Sequence, residues 1–219
     1  MKTLRAESVE VIARERISAI IRTSDQSVAA EAIGAAIEGG FRVVEFTLTT
    51  PGALELISQF SKRSDVLVGA GTVMTAAAVK DTVAAGARFI VSPICDAAVL
   101  TEAARLDVPS LPGAFTPTEM EHAHRLGADF VKVFPAPPGG VEFIRAVLAP
   151  LPHLRLFPTG GITADNFVEY LKAGCAGVGF VKSLFDPADL AACNFRAIRD
   201  RASDIIRRRN AWKDACPSS

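Results

Sequence analysis

The sequence predicts a (β/α)8 TIM barrel, and three observations predict it. Eight short apolar runs alternate with longer segments whose apolar residues recur at helical spacing. A small-residue stop recurs at four junctions, Glu38-Gly39-Gly40, Ala85-Gly86-Ala87, Leu126-Gly127-Ala128 and Ala173-Gly174-Cys175, each ending a helix just before the next run. The length, 219 residues, falls near the low end of what one such barrel needs.

In order, the chain reads as follows. A helix at about 4–14 comes first, where charges alternate with short apolar stretches. The apolar runs are 17–22, 42–47, 66–70, 88–92, 109–112, 129–134, 154–158 and 177–181. Between them lie the helical segments 26–38, 52–62, 76–85, 97–106, 117–126, 141–148 and 164–173, many of them rich in alanine. A last helix, about 187–212, completes the eighth unit. Strands buried on both faces and joined by helices pair in parallel, and eight such units close into a ring. No linker or low-complexity stretch divides residues 1–219, so one barrel domain is expected.

Composition narrows the function. Twenty-four Lys and Arg balance 24 Asp and Glu, so no global field draws the chain to nucleic acid or to a membrane. A small-molecule substrate is the expected partner. The N-terminus lacks the continuous apolar core of a signal peptide, and no stretch approaches the ~20 apolar residues of a spanning helix. The cysteines Cys95, Cys175, Cys193 and Cys216 lie far apart without CxxC spacing, which reads as reduced thiols in a cytoplasmic protein. His122, His124 and His153 form no ligand cluster with carboxylates, so no metal is expected. No dinucleotide, Walker or nucleophile-elbow motif is present, and no cofactor is expected.

In this fold chemistry sits at the carboxyl ends of the strands. Two charged residues there lie within apolar strands. Phe130, Lys132 and Phe134 share one face of their strand and Val131 and Val133 the other. Lys132 is either a lysine whose stem packs while its head reaches water, or an inward amine whose lost hydration frees a nucleophilic neutral form. Val43, Glu45 and Thr47 share a face in the same way, and Glu45 is either half of a structural ion pair or a general base. Thr159-Gly160-Gly161 leads from a strand into a helix, serving as a tight turn or as an anion cradle of backbone N–H groups. Gly69-Ala70-Gly71-Thr72 allows the same two readings. Arg22, ending the first strand, is a solvated arginine or a bidentate anion ligand.

Six segments resemble the 2-keto-3-deoxy-6-phosphogluconate (KDPG) / 4-hydroxy-2-oxoglutarate (KHG) aldolase family: Val44-Glu45-Phe46-Thr47-Leu48, Val68-Gly69-Ala70-Gly71-Thr72-Val73, Phe89-Ile90-Val91-Ser92-Pro93, Pro112-Gly113-Ala114-Phe115-Thr116-Pro117-Thr118-Glu119, Val131-Lys132-Val133-Phe134-Pro135 and Phe157-Pro158-Thr159-Gly160-Gly161-Ile162. They stand in the family's order and spacing. The resemblance implies a class I aldolase barrel without cofactor, with Lys132 as Schiff-base nucleophile and Glu45 as the proton-moving base. It implies that Thr72, Pro93 and Phe134 surround the pyruvyl part, that Thr159, Gly160 and Gly161 approach the substrate's polar groups, and that the assembly is a homotrimer. The sequence departs from the family's pattern in two places. Threonine stands at Thr49, where many members carry an arginine for the substrate carboxylate, and Arg22 is the replacement. Val181-Lys182 stands where Gly-Ser usually grips a phosphate, leaving Lys182 as a point charge for it. The expected substrate is KDPG, the alternatives its galactonate epimer and 4-hydroxy-2-oxoglutarate; a non-catalytic sugar-acid-binding barrel is the rival from another class.

Overall fold

A computed structural model describes residues 2–137 and 139–215; Cys216 lies outside them. The strands are β1 (Ile17–Ile21), β2 (Val43–Thr47), β3 (Leu67–Gly71), β4 (Ile90–Val91), β5 (Ser110–Leu111), β6 (Gly113–Ala114), β7 (Val131–Val133), β8 (Leu156–Pro158) and β9 (Val178–Phe180). The helices are α1 (Leu4–Glu15), α2 (Gln26–Glu38), α3 (Ala53–Phe60), α4 (Ala76–Ala84), α5 (Ala97–Arg105), α6 (Pro117–Arg125), α7 (Gly140–Leu148), α8 (Phe167–Lys172), α9 (Pro187–Ala191) and α10 (Phe195–Ala215).

All strand pairs are parallel, in the orders β5-β4-β3-β2-β1-β9 and β6-β7-β8. Two seams close the ring. Ala176 N–H donates to Leu156 O at 2.9 Å, and a bridge joins Thr159 to Gly179. At the other seam, Lys132 N–H donates to Pro112 O at 2.9 Å. The fifth run, expected as 109–112, extends to Ala114 and is split into β5 and β6 around Pro112. Proline has no N–H for a ladder, so the run pairs with β4 before it and with β7 after it.

Strand alternation sorts the core into two layers. Val44, Phe46, Val68, Ala70, Val131 and Val133 pack outward with the helices. Val43, Leu67, Phe89, Leu111, Phe130 and Phe157 fill the barrel, with Ile12 of α1 among them. Thr3 caps α1 by accepting from Ala6 N–H at 3.2 Å, and the helix stops at Arg16, whose φ is 60°.

Two helices differ from expectation. The segment expected as 164–173 is helical only from Phe167. Asn166 cross-ties the preceding loop, donating to Gly161 O at 2.9 Å and accepting from Thr163 N–H at 2.8 Å. The last helix is interrupted between α9 and α10. Cys193 sits there at φ 52°, and Asn194 caps the new helix by accepting from Ala197 N–H at 3.4 Å. α10 packs on α2 so closely that a Cβ at Gly39 would lie 2.4 Å from Ala202 Cβ. Arg207-Arg208-Arg209 reads from sequence as a solvated face, and this is corrected at its last residue. Arg209 is buried and bonds Glu15 at 2.5 Å, because α10 lies across the end of α1.

Candidate active site

With Val131, Val133, Val44 and Phe46 packed outward against the helices, Lys132 and Glu45 point into the barrel and line one cavity with Ser18, Ile20, Val91 and Thr159. Lys132 is 6% and Glu45 2% exposed. Taking either charge out of water costs on the order of several kcal/mol, so a fold driven by stability alone would place neither there. No compensating bond offsets the cost fully. Glu45 Oε1 is buried without a hydrogen-bond partner, and Lys132 Nζ lies over the Phe134 ring, 4.9 Å from its centroid.

The electrostatics follow from burial. Desolvation holds the Lys132 ammonium below the ordinary lysine range; the Glu45 carboxylate opposes this, and the Arg22 guanidinium adds to it. Burial pushes the Glu45 carboxyl above its usual range, against the pull of Lys132 and Arg22. Both shifts favour the uncharged forms. The site therefore holds an amine that releases its proton readily and a carboxyl that takes one up.

Small residues make room for this pair. A Cβ at Gly71 would lie 1.9 Å from Glu45 Oε1, and one at Gly179 would lie 2.7 Å from both Thr159 Oγ1 and Ile20 Cδ1. Thr159 is buried beside the bridge to Gly179. Gly160 and Gly161 follow at φ 85° and 76°, a turn only glycine adopts without strain.

At the mouth, Arg22 Nη2 donates to Thr72 Oγ1 at 3.3 Å, and Thr72 itself takes φ 60°. Pro93 is half-buried, its carbonyl so near Gly113 that a Cβ there would lie 2.1 Å away. Thr49 is exposed, and its hydroxyl meets that of Thr47 at 3.0 Å. Arg22 and Lys182 line a neighbouring cleft of about 430 Å³ with Val181, Phe185 and Cys193. It adjoins the inner cavity at Ile20, which lines both. The structure thus gathers Lys132, Glu45 and Thr159 inside, stands Phe134 against the lysine, and sets Arg22, Thr72 and Lys182 outward. Sequence reasoning missed Ser18 and Ile20. The signal was present, since stepping back by two from Arg22 along β1 reaches both. Among the described residues, no group of three His, Cys, Asp or Glu is placed to hold a metal ion.

The model of a family described as KDPG and KHG aldolase matches residues 9–200. A probable 2-dehydro-3-deoxy-6-phosphogalactonate aldolase of Rhizobium meliloti (strain 1021) is 37% identical over 174 residues, 77% of this chain and 81% of that one. A 2-dehydro-3-deoxy-phosphogluconate aldolase of Treponema pallidum (strain Nichols) is 37% identical over 164 residues, 74% of this chain and 78% of its own length. Among solved structures, a KDPG aldolase from Legionella pneumophila, with pyruvate captured as a covalent carbinolamine intermediate, matches with a TM-score of 0.82. It is 30% identical and covers 90% of this chain and 97% of its own.

Proposed function

The chain belongs to the KDPG and KHG aldolase family and is an aldehyde-lyase, and we propose that it cleaves a 2-keto-3-deoxy-6-phosphosugar acid, KDPG first, through a Schiff base on Lys132. The observation that carries this reading is the buried amine of Lys132 sharing one cavity with the unpartnered carboxyl oxygen of Glu45.

In this reading the neutral Lys132 amine adds to the C2 ketone. The carbinolamine loses water to a protonated imine, an electron sink. Glu45, through a water, takes the C4 hydroxyl proton as the C3–C4 bond breaks, and the bond's electrons pass into the imine as an enamine. The aldehyde leaves, glyceraldehyde 3-phosphate when the substrate is KDPG. Glu45 returns a proton to C3, and hydrolysis frees pyruvate and Lys132. Arg22 would hold the substrate carboxylate, with Thr49 and Thr72 beside it. Pro93 and Phe134 would enclose the pyruvyl group, Thr159, Gly160 and Gly161 would meet its polar atoms, and Lys182 would face the phosphate.

Borohydride reduction in the presence of pyruvate tests the covalent step. A reduced pyruvyl adduct on Lys132 is expected, and turnover without any adduct would overturn it. A second reading, the galactonate epimer as substrate, has support from the Rhizobium relative and from Val181-Lys182 in the distal cleft. Rates on the two epimers and on unphosphorylated acids separate these readings. The same proposal takes the assembly to be a homotrimer, read by light scattering, and the location to be cytoplasmic, in keeping with the free Cys95, Cys175 and Cys193.

A further inference from the structure

The end of the barrel away from the mouth carries a feature that the cleavage reaction leaves unused. A cleft of about 400 Å³ opens between α1 and the N-terminal ends of β2, β3 and β4, and Arg14, Arg42, Arg63 and Arg88 line it. Glu7 and Asp65 are the acidic side chains in the same wall. Four guanidinium groups against two carboxylates leave a formal charge of +2, in a chain whose total is zero. The volume falls in the range of small-molecule sites.

Structural duties account for these arginines only in part. Arg63 forks onto Asp65 at 3.0 and 2.9 Å, and Arg42 Nη1 donates to Ile37 O and Phe41 O at the end of α2. Arg14 meets Glu15 at 3.1 Å. Arg88 bonds Glu7 and Leu4 O through Nη2 alone, at 3.3 and 3.4 Å, while its Nε is buried with no hydrogen-bond partner. A permanently charged donor without an acceptor is costly, and gathering four like charges in a concave wall costs more. Ser61 and Ser64 add hydroxyls to that wall.

We propose that this cleft is a second binding site, for a compact oxyanion of the pyrophosphate class. Guanidinium forks match such oxygens two at a time, and the surplus charge calls for a ligand carrying at least two negative charges. The site has a route to the catalytic cavity. α1 presents Glu7, Val11 and Arg14 to the cleft and sends Ile12 into the floor of the cavity that holds Glu45 and Lys132. An anion drawing Arg14 and Arg88 together would stiffen that helix.

Calorimetric titration of the full chain with inorganic pyrophosphate tests the site. Binding is expected in the wild type and in the Lys132→Ala protein, so the result does not depend on the Schiff-base reading. Arg88→Gln and Arg63→Gln should each weaken it by about tenfold or more, the loss of one charge-assisted hydrogen bond. Both variants should cleave substrate at the wild-type rate without pyrophosphate, which shows them folded. Absence of binding in the wild type would overturn the proposal. So would binding that withstands both variants but disappears in an Arg22→Ala, Lys182→Ala protein, since the anion would then sit at the catalytic mouth. Amide exchange in α1 should slow on binding, and unchanged exchange would sever the link to the cavity floor.

Discussion

Replacing Gly71 with alanine perturbs the proposed base without touching its chemistry. Gly71 ends β3 directly beside Glu45, and its backbone conformation is one that alanine shares. The added Cβ would stand 1.9 Å from Glu45 Oε1, 2.7 Å from Cδ and 3.0 Å from Cγ. Ordinary contact begins near 3.4 Å, so the carboxylate must retreat by about 1.5 Å. Because the obstacle is the far end of a flexible side chain, the fold can absorb the intrusion at about 1–3 kcal/mol, the usual cost of overpacking. Catalysis cannot absorb it so easily. A displacement of ~1 Å in a reacting group costs on the order of 10²-fold, so kcat/KM should fall by about 10² or more, equivalent to about 2.7 kcal/mol in the barrier. Pyruvate release is followed with lactate dehydrogenase, stability by denaturant titration, and the imine by borohydride trapping. The expected pattern is a folded protein that still traps pyruvate on Lys132 but cleaves slowly. Wild-type kcat/KM in folded Gly71→Ala would refute the assignment of Glu45 as the proton carrier.

Other perturbations follow from the same geometry. Glu45→Gln should lower kcat by about 10²–10⁴ while leaving imine trapping intact. Because burial raises the Glu45 pKa, its carboxyl supports the fold fully below the unfolded value, and that support is lost as pH rises through the folded value. The Gln variant should therefore gain stability over wild type on the alkaline side of that window, and parallel stability curves would contradict this. Arg209→Ala should cost about 3 kcal/mol, the low end for a broken buried pair, because Arg14 still reaches Glu15. Burial alone would raise the Glu15 carboxyl, but hydrogen bonds from Arg14 and Arg209 outweigh it and hold its pKa low. The support from this pair is thus lost as pH falls through the folded value, and the penalty of Arg209→Ala should shrink in acid; a constant penalty would argue against the ion pair. Iodoacetamide at mildly alkaline pH should modify exposed Cys193 and spare Cys175, whose thiol burial pushes up to about 12. Equal rates of labelling would show that the barrel opens.

The sequence by itself determined which residues share a face of each strand. Period-two alternation within each strand is a local property, so it set Lys132 opposite Val131 and Val133, and Glu45 opposite Val44 and Phe46, before any packing was known. That these charged faces are the inner ones was one of two readings, and the packing of the valines and Phe46 against the helices decided it. The glycine stops did the same for helix ends, because they act through the backbone of their own segment. Tertiary structure decided what depends on a neighbour distant in the chain. Alternation could not show that Lys132 and Glu45 share one cavity, since that depends on how the strands curl around the barrel axis. Nor could local pattern reveal that Pro112 divides one strand between two partners, or that Asn166 ties the loop after Gly161 instead of continuing a helix. The polar stripe of α10 read as water-facing through Arg209 because charge pattern carries no record of the buried carboxylate, Glu15, waiting 194 positions earlier. Residue type and period set a side chain's face; burial, and with it the shift in Lys132 and Glu45 that the chemistry requires, comes only from the elements that close over it.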